Sequence, residues 1–318
     1  MKTLPDTAIE RLRRAANAPQ LSGTRYRLLE KLGEGGMAGV FRVQDTALNR
    51  ELALKVISVA DAAGELALRL LQEAHVIAKL EHPGIVPVHD AGTLADGRVF
   101  YTMKLVQGQS LDQCAEGGLP ERLRLFHKIC DTVSFAHSRG VLHRDLKPQN
   151  IMVGAFGEVL VMDWGLSKLL GGSERPAECE QTAGGEARPV TAHGSVLGTP
   201  GYMSPEQARG DVTALDHRAD IYSLGAVLRF LLANVRAVPR AVSAIIGKAM
   251  KVDPAQRYGS VEELSRDLAH YLDGLPVSAY PESPLRRLWR WAGKNRVWIL
   301  LVLAYLLMRA ALILWRTR

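Results

Sequence analysis

The stretch Gly33-Glu34-Gly35-Gly36-Met37-Ala38-Gly39 constrains the fold more than any other feature, because of what flanks it. Arg27 to Leu32 is apolar-rich, Val40 to Val43 resumes a strand pattern, and Leu52 to Ile57 makes a further short apolar strand. A glycine-rich turn between two strands argues against the dinucleotide-binding and Walker arrangements, which set a helix N-terminus on the phosphate. It admits another use: with no Cβ in the way, bare backbone amides can lie over phosphates. Alone, such a cluster is an ordinary turn, so the residues that follow must decide its meaning.

Within the strand 52–57, Lys55 alternates onto the same face as Ala53 and Ile57. The period then changes. Leu66, Leu70, Ile77 and Leu80 fall on one helical stripe, and Glu73 falls on it too. Two opposite charges directed at one interior are costly unless they pair. The sequence therefore predicts a Lys55–Glu73 ion pair; the alternative is two unrelated snorkelling side chains. Val99 to Val106 is another strand candidate. From residue 120 the pattern is largely helical, with Pro120 at a first helical position and Gly140 as a stop. Residues 154–162 read as a hairpin with Gly157 in its turn, and 171–195 as a flexible loop too long for a passive connector. Asp220 to Asn234, Val242 to Met250 and Val261 to Leu272 read as helices. The fold class is α+β: a small β-rich lobe, a larger helical lobe, and a cleft between them where a ligand belongs.

His143-Arg144-Asp145-Leu146-Lys147-Pro148-Gln149-Asn150 and Asp163-Trp164-Gly165 supply the chemistry. Asp145, Asn150 and Asp163 concentrate oxygen ligands, and a few such ligands completed by phosphates are what magnesium prefers. A single Asp is more often a cap or turn residue; the set as a whole does not follow from turn chemistry. The order G-x-G, strand Lys, helix Glu, H-R-D-x-x-x-x-N, D-x-G and Ser204-Pro205-Glu206 resembles the protein kinase signature over residues 26–272. Leu32 to Met37 and Gly198 to Ala208 resemble the bacterial, eukaryotic-type serine/threonine kinases, as do Lys147 and Thr199.

The resemblance implies a two-lobed protein kinase fold and ATP-dependent phosphorylation of Ser/Thr hydroxyls on proteins, including autophosphorylation. Asp145 would orient the substrate hydroxyl, Lys147 would neutralise the γ-phosphate, and Lys55, oriented by Glu73, would hold the α- and β-phosphates. Asn150 and Asp163 would hold Mg2+, with Mn2+ as an alternative. Leu32, Gly33, Glu34, Gly35 and Gly36 would line the ATP site. Val40 and Ala53 would roof the adenine, Met152 would lie below it and Met103 at its back, with Lys104 to Val106 as hinge. Asp220 would anchor the catalytic loop, and Glu206 would pair with Arg257. Thr191 and Ser195 are the expected phosphosites, with Arg144 facing the phosphate.

The sequence also departs from the family pattern. Ala38 stands where a third glycine is usual, Trp164 replaces phenylalanine, and Ser204 replaces alanine. The connection after Asn234 is short, so the helix that often docks protein substrates is expected to be reduced. That gives weight to an alternative: a kinase-like, membrane-tethered scaffold without robust activity.

Charge decides the remaining classes. The chain of 318 residues is 47% hydrophobic and carries a formal charge of +7. Arg286, Arg287, Arg290, Lys294 and Arg296 cluster before the most apolar stretch, a membrane-surface feature rather than a nucleic-acid one. Residues 297–315 are expected to form a C-terminal transmembrane helix, with Trp298 and Trp315 at the interfaces and Arg309 as the costly exception. The alternatives are an amphipathic helix lying on the membrane or one packed on protein. The expected layout is an N-terminal lead-in over 1–25, kinase N-lobe 26–106, C-lobe 107–275, basic juxtamembrane segment 276–296 and span 297–315. The expected location is a single pass in the cell membrane with the kinase domain cytoplasmic and no sensor domain beyond. The partners are protein substrates and the membrane, a homodimer is compatible, and nucleic acid is not expected. Cys114, Cys130 and Cys179 are odd in number and lack C-x-x-C spacing, so neither a disulfide framework nor a zinc site is expected.

Overall fold

A computed structural model of the chain describes residues 18–34, 38–57, 64–114, 117–164, 168–169, 201–209, 216–281 and 295–316. Gly35, Gly36, Gly165, Thr191 and Ser195 lie outside the described residues, as does the expected loop 171–195.

The N-lobe is a five-stranded antiparallel sheet in the order β1-β2-β3-β5-β4. Its strands are β1 (Tyr26–Glu34), β2 (Ala38–Asp45), β3 (Arg50–Ile57), β4 (Val88–Thr93) and β5 (Val99–Lys104). Helix α1 (Glu65–Ala78) packs on one face. Alternation along β3 splits its side chains between two apolar clusters. Leu52, Leu54 and Val56 join Phe41, Val43 and Phe100 on the outer face. Ala53 and Ile57 face inward and join Leu70, Ile77, Tyr101 and Met103. The strand β4 was not read from the sequence. Its Val-His-Asp-Ala-Gly-Thr segment has one large apolar residue and lies at the sheet edge, so it carries no alternating apolar signal.

The C-lobe is helical. It comprises α2 (Leu119–Ser138), α3 (Pro205–Ala208), α4 (Arg218–Leu231), α5 (Arg240–Ala249) and α6 (Val261–Leu272). Five short strands in two small sheets complete it: β6 (Gly108–Ser110), β8 (Ile151–Gly154) and β9 (Val159–Val161) form one sheet, and β7 (Val141–Leu142) pairs with β10 (Lys168–Leu169). Pro120 sits in the first turn of α2, and Gly140 ends it with φ 74°. Gly157 has φ 76° in the β8–β9 turn. Both glycines occupy the left-handed region, which a Cβ disfavours.

One apolar core spans both lobes, running from Ala53 and Met103 through Leu111, Phe126 and Trp164 to Ile221 and Leu264. Each fully buried side chain of this kind contributes about 1.5–3 kcal/mol, so the shared core holds the cleft geometry. Among the described residues, α4 is followed by α5 after residues 232–239 with no helix between, as expected from the short connection.

The last helix, α7 (Arg296–Arg316), is 21 residues long. Over the described residues, no helix is long and apolar enough to cross a membrane, which leaves the expected 297–315 span without structural support. Arg309 interrupts the apolar run, and the side chains of Val297, Trp298, Leu303 and residues 310–314 are not among those described.

Candidate active site

Lys55 reaches the cleft because β3 alternation turns it inward, beside the helix α1 that carries Glu73. Its Nζ donates to Glu73 Oε1 at 2.7 Å and to Asp163 Oδ1 at 3.0 Å. The predicted ion pair is thus present, with a third partner. The Tyr101 hydroxyl, on the strand residue aligned with Lys55, also donates to Glu73 Oε1, at 2.8 Å. Burial pulls the Lys55 pKa down, but the carboxylates of Glu73 and Asp163 more than offset it, so the ammonium titrates above the ordinary lysine value. Burial likewise raises Asp163, and Lys55 outweighs that effect, so its carboxyl stays below the usual range.

The catalytic loop is held from below by a buried carboxylate. Asp220, 1% exposed at the start of α4, accepts the backbone N–H groups of His143 and Arg144, both at 2.8 Å. Its Oδ2 also meets His137 Nε2 at 2.8 Å. Burial raises the Asp220 pKa, and His137, His143 and the backbone donors more than offset it, so the group stays ionised. Arg144 and Asp163 adopt φ of 67° and 59°, left-handed conformations rare for such residues. Strain of this kind persists where the surroundings over-determine the backbone. The Asp220 bonds and the Lys55 contact supply that constraint here.

Within the loop, Lys147 Nζ donates to Asp145 Oδ2 at 2.7 Å. Asn150 Nδ2 donates to the Asp145 carbonyl at 2.9 Å, which leaves the amide oxygen of Asn150 as its acceptor. His143 Nε2 lies 2.9 Å from the Met162 carbonyl, and its ring lies 4.7 Å from that of Trp164. Trp164 keeps the apolar role expected at this position, being 1% exposed, and its indole N–H donates to the Val161 carbonyl at 3.2 Å.

A cavity of about 680 Å³ opens between the lobes. Gly33, Glu34, Val40, Lys55, Met103, Asp145, Asn150 and Asp163 line it. Its back extends past Glu73 to Leu66, Leu70, Ile77 and Val86. Three expected nucleotide contacts are not on its wall: Leu32 is 46% exposed, Ala53 is buried in the core, and Met152 is half-buried in β8. Asp163 presents an oxygen to the ammonium of Lys55, and Asn150 lines the same cavity, a donor set that suits a hard divalent cation shared with phosphate oxygens.

The structural pair Glu206–Arg257 is also present. Arg257 donates to both Glu206 oxygens, at 2.6 and 2.8 Å, while its other bonds go to the carbonyls of Arg218, Lys251 and Val252. Three contacts went unread in the sequence: Tyr101–Glu73, His137–Asp220, and Gln207 Nε2 to the Arg144 carbonyl at 2.8 Å. The first had a signal: Tyr101 alternates with Val99 and Met103 on the face that β5 turns toward α1.

Comparison with known proteins agrees with this geometry. Residues 26–275 match the family described as "Protein kinase domain". The serine/threonine-protein kinase PknD of Protochlamydia amoebophila is 35% identical over 299 residues, covering 78% of this chain and 30% of that protein. PknD of Chlamydia felis is 35% identical over 296 residues, covering 79% and 31%. The chain thus spans about a third of the length of these curated relatives. Among solved structures, the PknI kinase domain of Mycobacterium tuberculosis aligns with a TM-score of 0.57 at 25% identity, over 79% of this chain and 96% of that one. With its cleft residues converging as that family requires, the chain belongs to the protein kinase domain family.

Proposed function

We propose that this chain transfers the γ-phosphoryl group of ATP to Ser/Thr hydroxyls of proteins, itself included, with Mg2+ as the metal. The observation that carries the reading is the convergence of Lys55, Asp163, Asn150 and Asp145 on one cavity. Phosphoryl transfer needs positioning and charge stabilisation more than covalent help. Lys55 would hold phosphate oxygens, Asn150 and Asp163 would bind the metal, and Lys147 would meet charge on the transferred group. Asp145 would orient the hydroxyl and take its proton. The bound metal would supply neutralisation of phosphate charge. Thr191 or Ser195 would receive the phosphate in autophosphorylation, with Arg144 as its partner.

The reading extends to a membrane-attached protein with the catalytic domain on the cytoplasmic side, where ATP is. Its support is the basic cluster 286–296 and the apolar character of α7. Leu300, Leu301, Val302, Leu306, Leu307 and Met308 are each more than half exposed, so among the described residues no protein surface covers them.

The test is incubation of the purified full chain with labelled ATP and magnesium, beside Asp145→Ala. The parent is expected to label itself or a generic Ser/Thr substrate, and the variant to fall by at least about 100-fold. Equal labelling of both would overturn the role of Asp145. Absence of label in the parent would favour the scaffold reading, to which the short 232–239 connection gives some weight.

A further inference from the structure

The described chain does not leave the C-lobe at the end of α6. It turns at Gly274, with φ 67°, and folds back along the helix, its course fixed by a Leu275 N–H bond to the His270 carbonyl at 2.7 Å. Val277, 6% exposed, enters the main core. The buried carboxylate of Asp267, 4% exposed, then gathers the returning strand. It accepts Ser278 N–H at 2.8 Å, the Ser278 hydroxyl at 2.8 Å, Ala279 N–H at 3.0 Å and the Tyr258 hydroxyl at 2.9 Å. Three of these four donors come from the tail. A buried carboxylate that lost them would keep one donor and bear the desolvation cost of the rest.

Tyr258 leads from this point to the catalytic loop. It follows Arg257, whose guanidinium grips both oxygens of Glu206. Glu206 precedes Gln207, whose side-chain amide donates to the Arg144 carbonyl at 2.8 Å, one residue before Asp145. The path from Ser278 to Asp145 is therefore hydrogen bonds and single peptide links, with no gap. A path alone is only spatial; coupling also needs an element with two arrangements. The structure shows the tail docked on Asp267; its release would supply the second arrangement.

We propose that residues 276–279 are a latch on Asp267 through which the segment leading toward α7 controls the catalytic loop. The proposal rests on the phosphotransfer reading for its activity readout. Tension or binding on the C-terminal side of Pro281 would draw the tail away, leave Asp267 under-bonded and loosen Tyr258, Arg257 and Glu206 in turn.

The test uses the full chain. Ser278→Pro removes both the N–H and the hydroxyl donors of residue 278; Tyr258→Phe cuts the relay and leaves the tail donors in place. Each is expected to lower kcat roughly fivefold or more, with KM for ATP within about twofold, and to speed hydrogen exchange across 201–209. The double variant is expected to lose no more than the worse single one, since both break one chain. A kcat for Ser278→Pro near that of the parent, or fully additive losses, overturns the latch. If Ser278→Pro does not fold, Ser278→Ala replaces it, and unchanged kcat there overturns the proposal. If the parent itself transfers no phosphate, the function reading fails; the latch is then judged on exchange alone, and unaltered protection at 201–209 in Ser278→Pro overturns it.

Discussion

Glu73 stands at the point where burial and pairing compete most sharply. At 6% exposure its carboxylate loses most of its water, and it survives by taking Lys55 at 2.7 Å and the Tyr101 hydroxyl at 2.8 Å on one oxygen. The Lys55 half of this arrangement was legible in the sequence because an acid on an apolar helical stripe demands a partner. The Tyr101 half was not, because a tyrosine in a strand reads simply as a good β-former. The hydroxyl has a measurable role. Tyr101→Phe removes a donor to a charged acceptor and leaves the ring in place, so it is expected to cost about 1.5–3 kcal/mol. For a domain of this size that lowers Tm by roughly 3–12 °C, and KM for ATP should rise because Lys55 loses part of its alignment. Thermal denaturation with an unchanged midpoint would remove Tyr101 from the site.

At the scale of elements, α3 is tied to the loop before α6 by one buried ion pair. The Arg257 side chain is 0% exposed and that of Glu206 is 6% exposed, and the pair is bidentate. Breaking a buried pair by removing one charge costs about 3–5 kcal/mol. Burial raises the Glu206 pKa, and Arg257 more than offsets it, so the folded value lies below the ordinary 4.5. A depressed carboxyl stabilises the fold above its unfolded value and loses that contribution as pH falls through the folded one. Glu206→Gln should therefore melt roughly 6–20 °C lower at pH 7, and the gap from the parent should close below pH 4.5, the ordinary carboxyl value. A gap constant with pH would show that the charge contributes nothing. Elements themselves were legible wherever periodicity was strong. Helix α2 announced itself through Pro120 and Gly140, and β3 through its alternation. The edge strand β4 and the returning tail 275–279 were not, since one lacks apolar alternation and the other is held by hydrogen bonds to a single buried Asp.

At the scale of the whole molecule, the two lobes share one core, so the cleft is set by packing that any sequence with the same apolar pattern would share. The catalytic function is then carried by a few polar groups that the pattern alone cannot place. The proposed relation of this body to a membrane rests on different physics. Helix α7 is 21 residues long, which at about 1.5 Å per residue approaches the roughly 30 Å of a hydrocarbon core. Length therefore permits a crossing, while Arg309 opposes it, because a charge at depth is costly. Two forces remain for attachment: apolar burial of α7, and attraction of the basic cluster 286–296 to anionic lipid. They respond differently to salt, since ionic attraction is screened within about 10 Å at 0.1 M and apolar burial is not. The full chain is expected to float with phosphatidylcholine vesicles, with or without added phosphatidylglycerol, and to stay bound at high salt. Deleting 297–315 should release it while phosphoryl transfer persists. Release of the full chain by salt alone would assign attachment to the basic cluster, and no flotation with either vesicle would remove the membrane from its function.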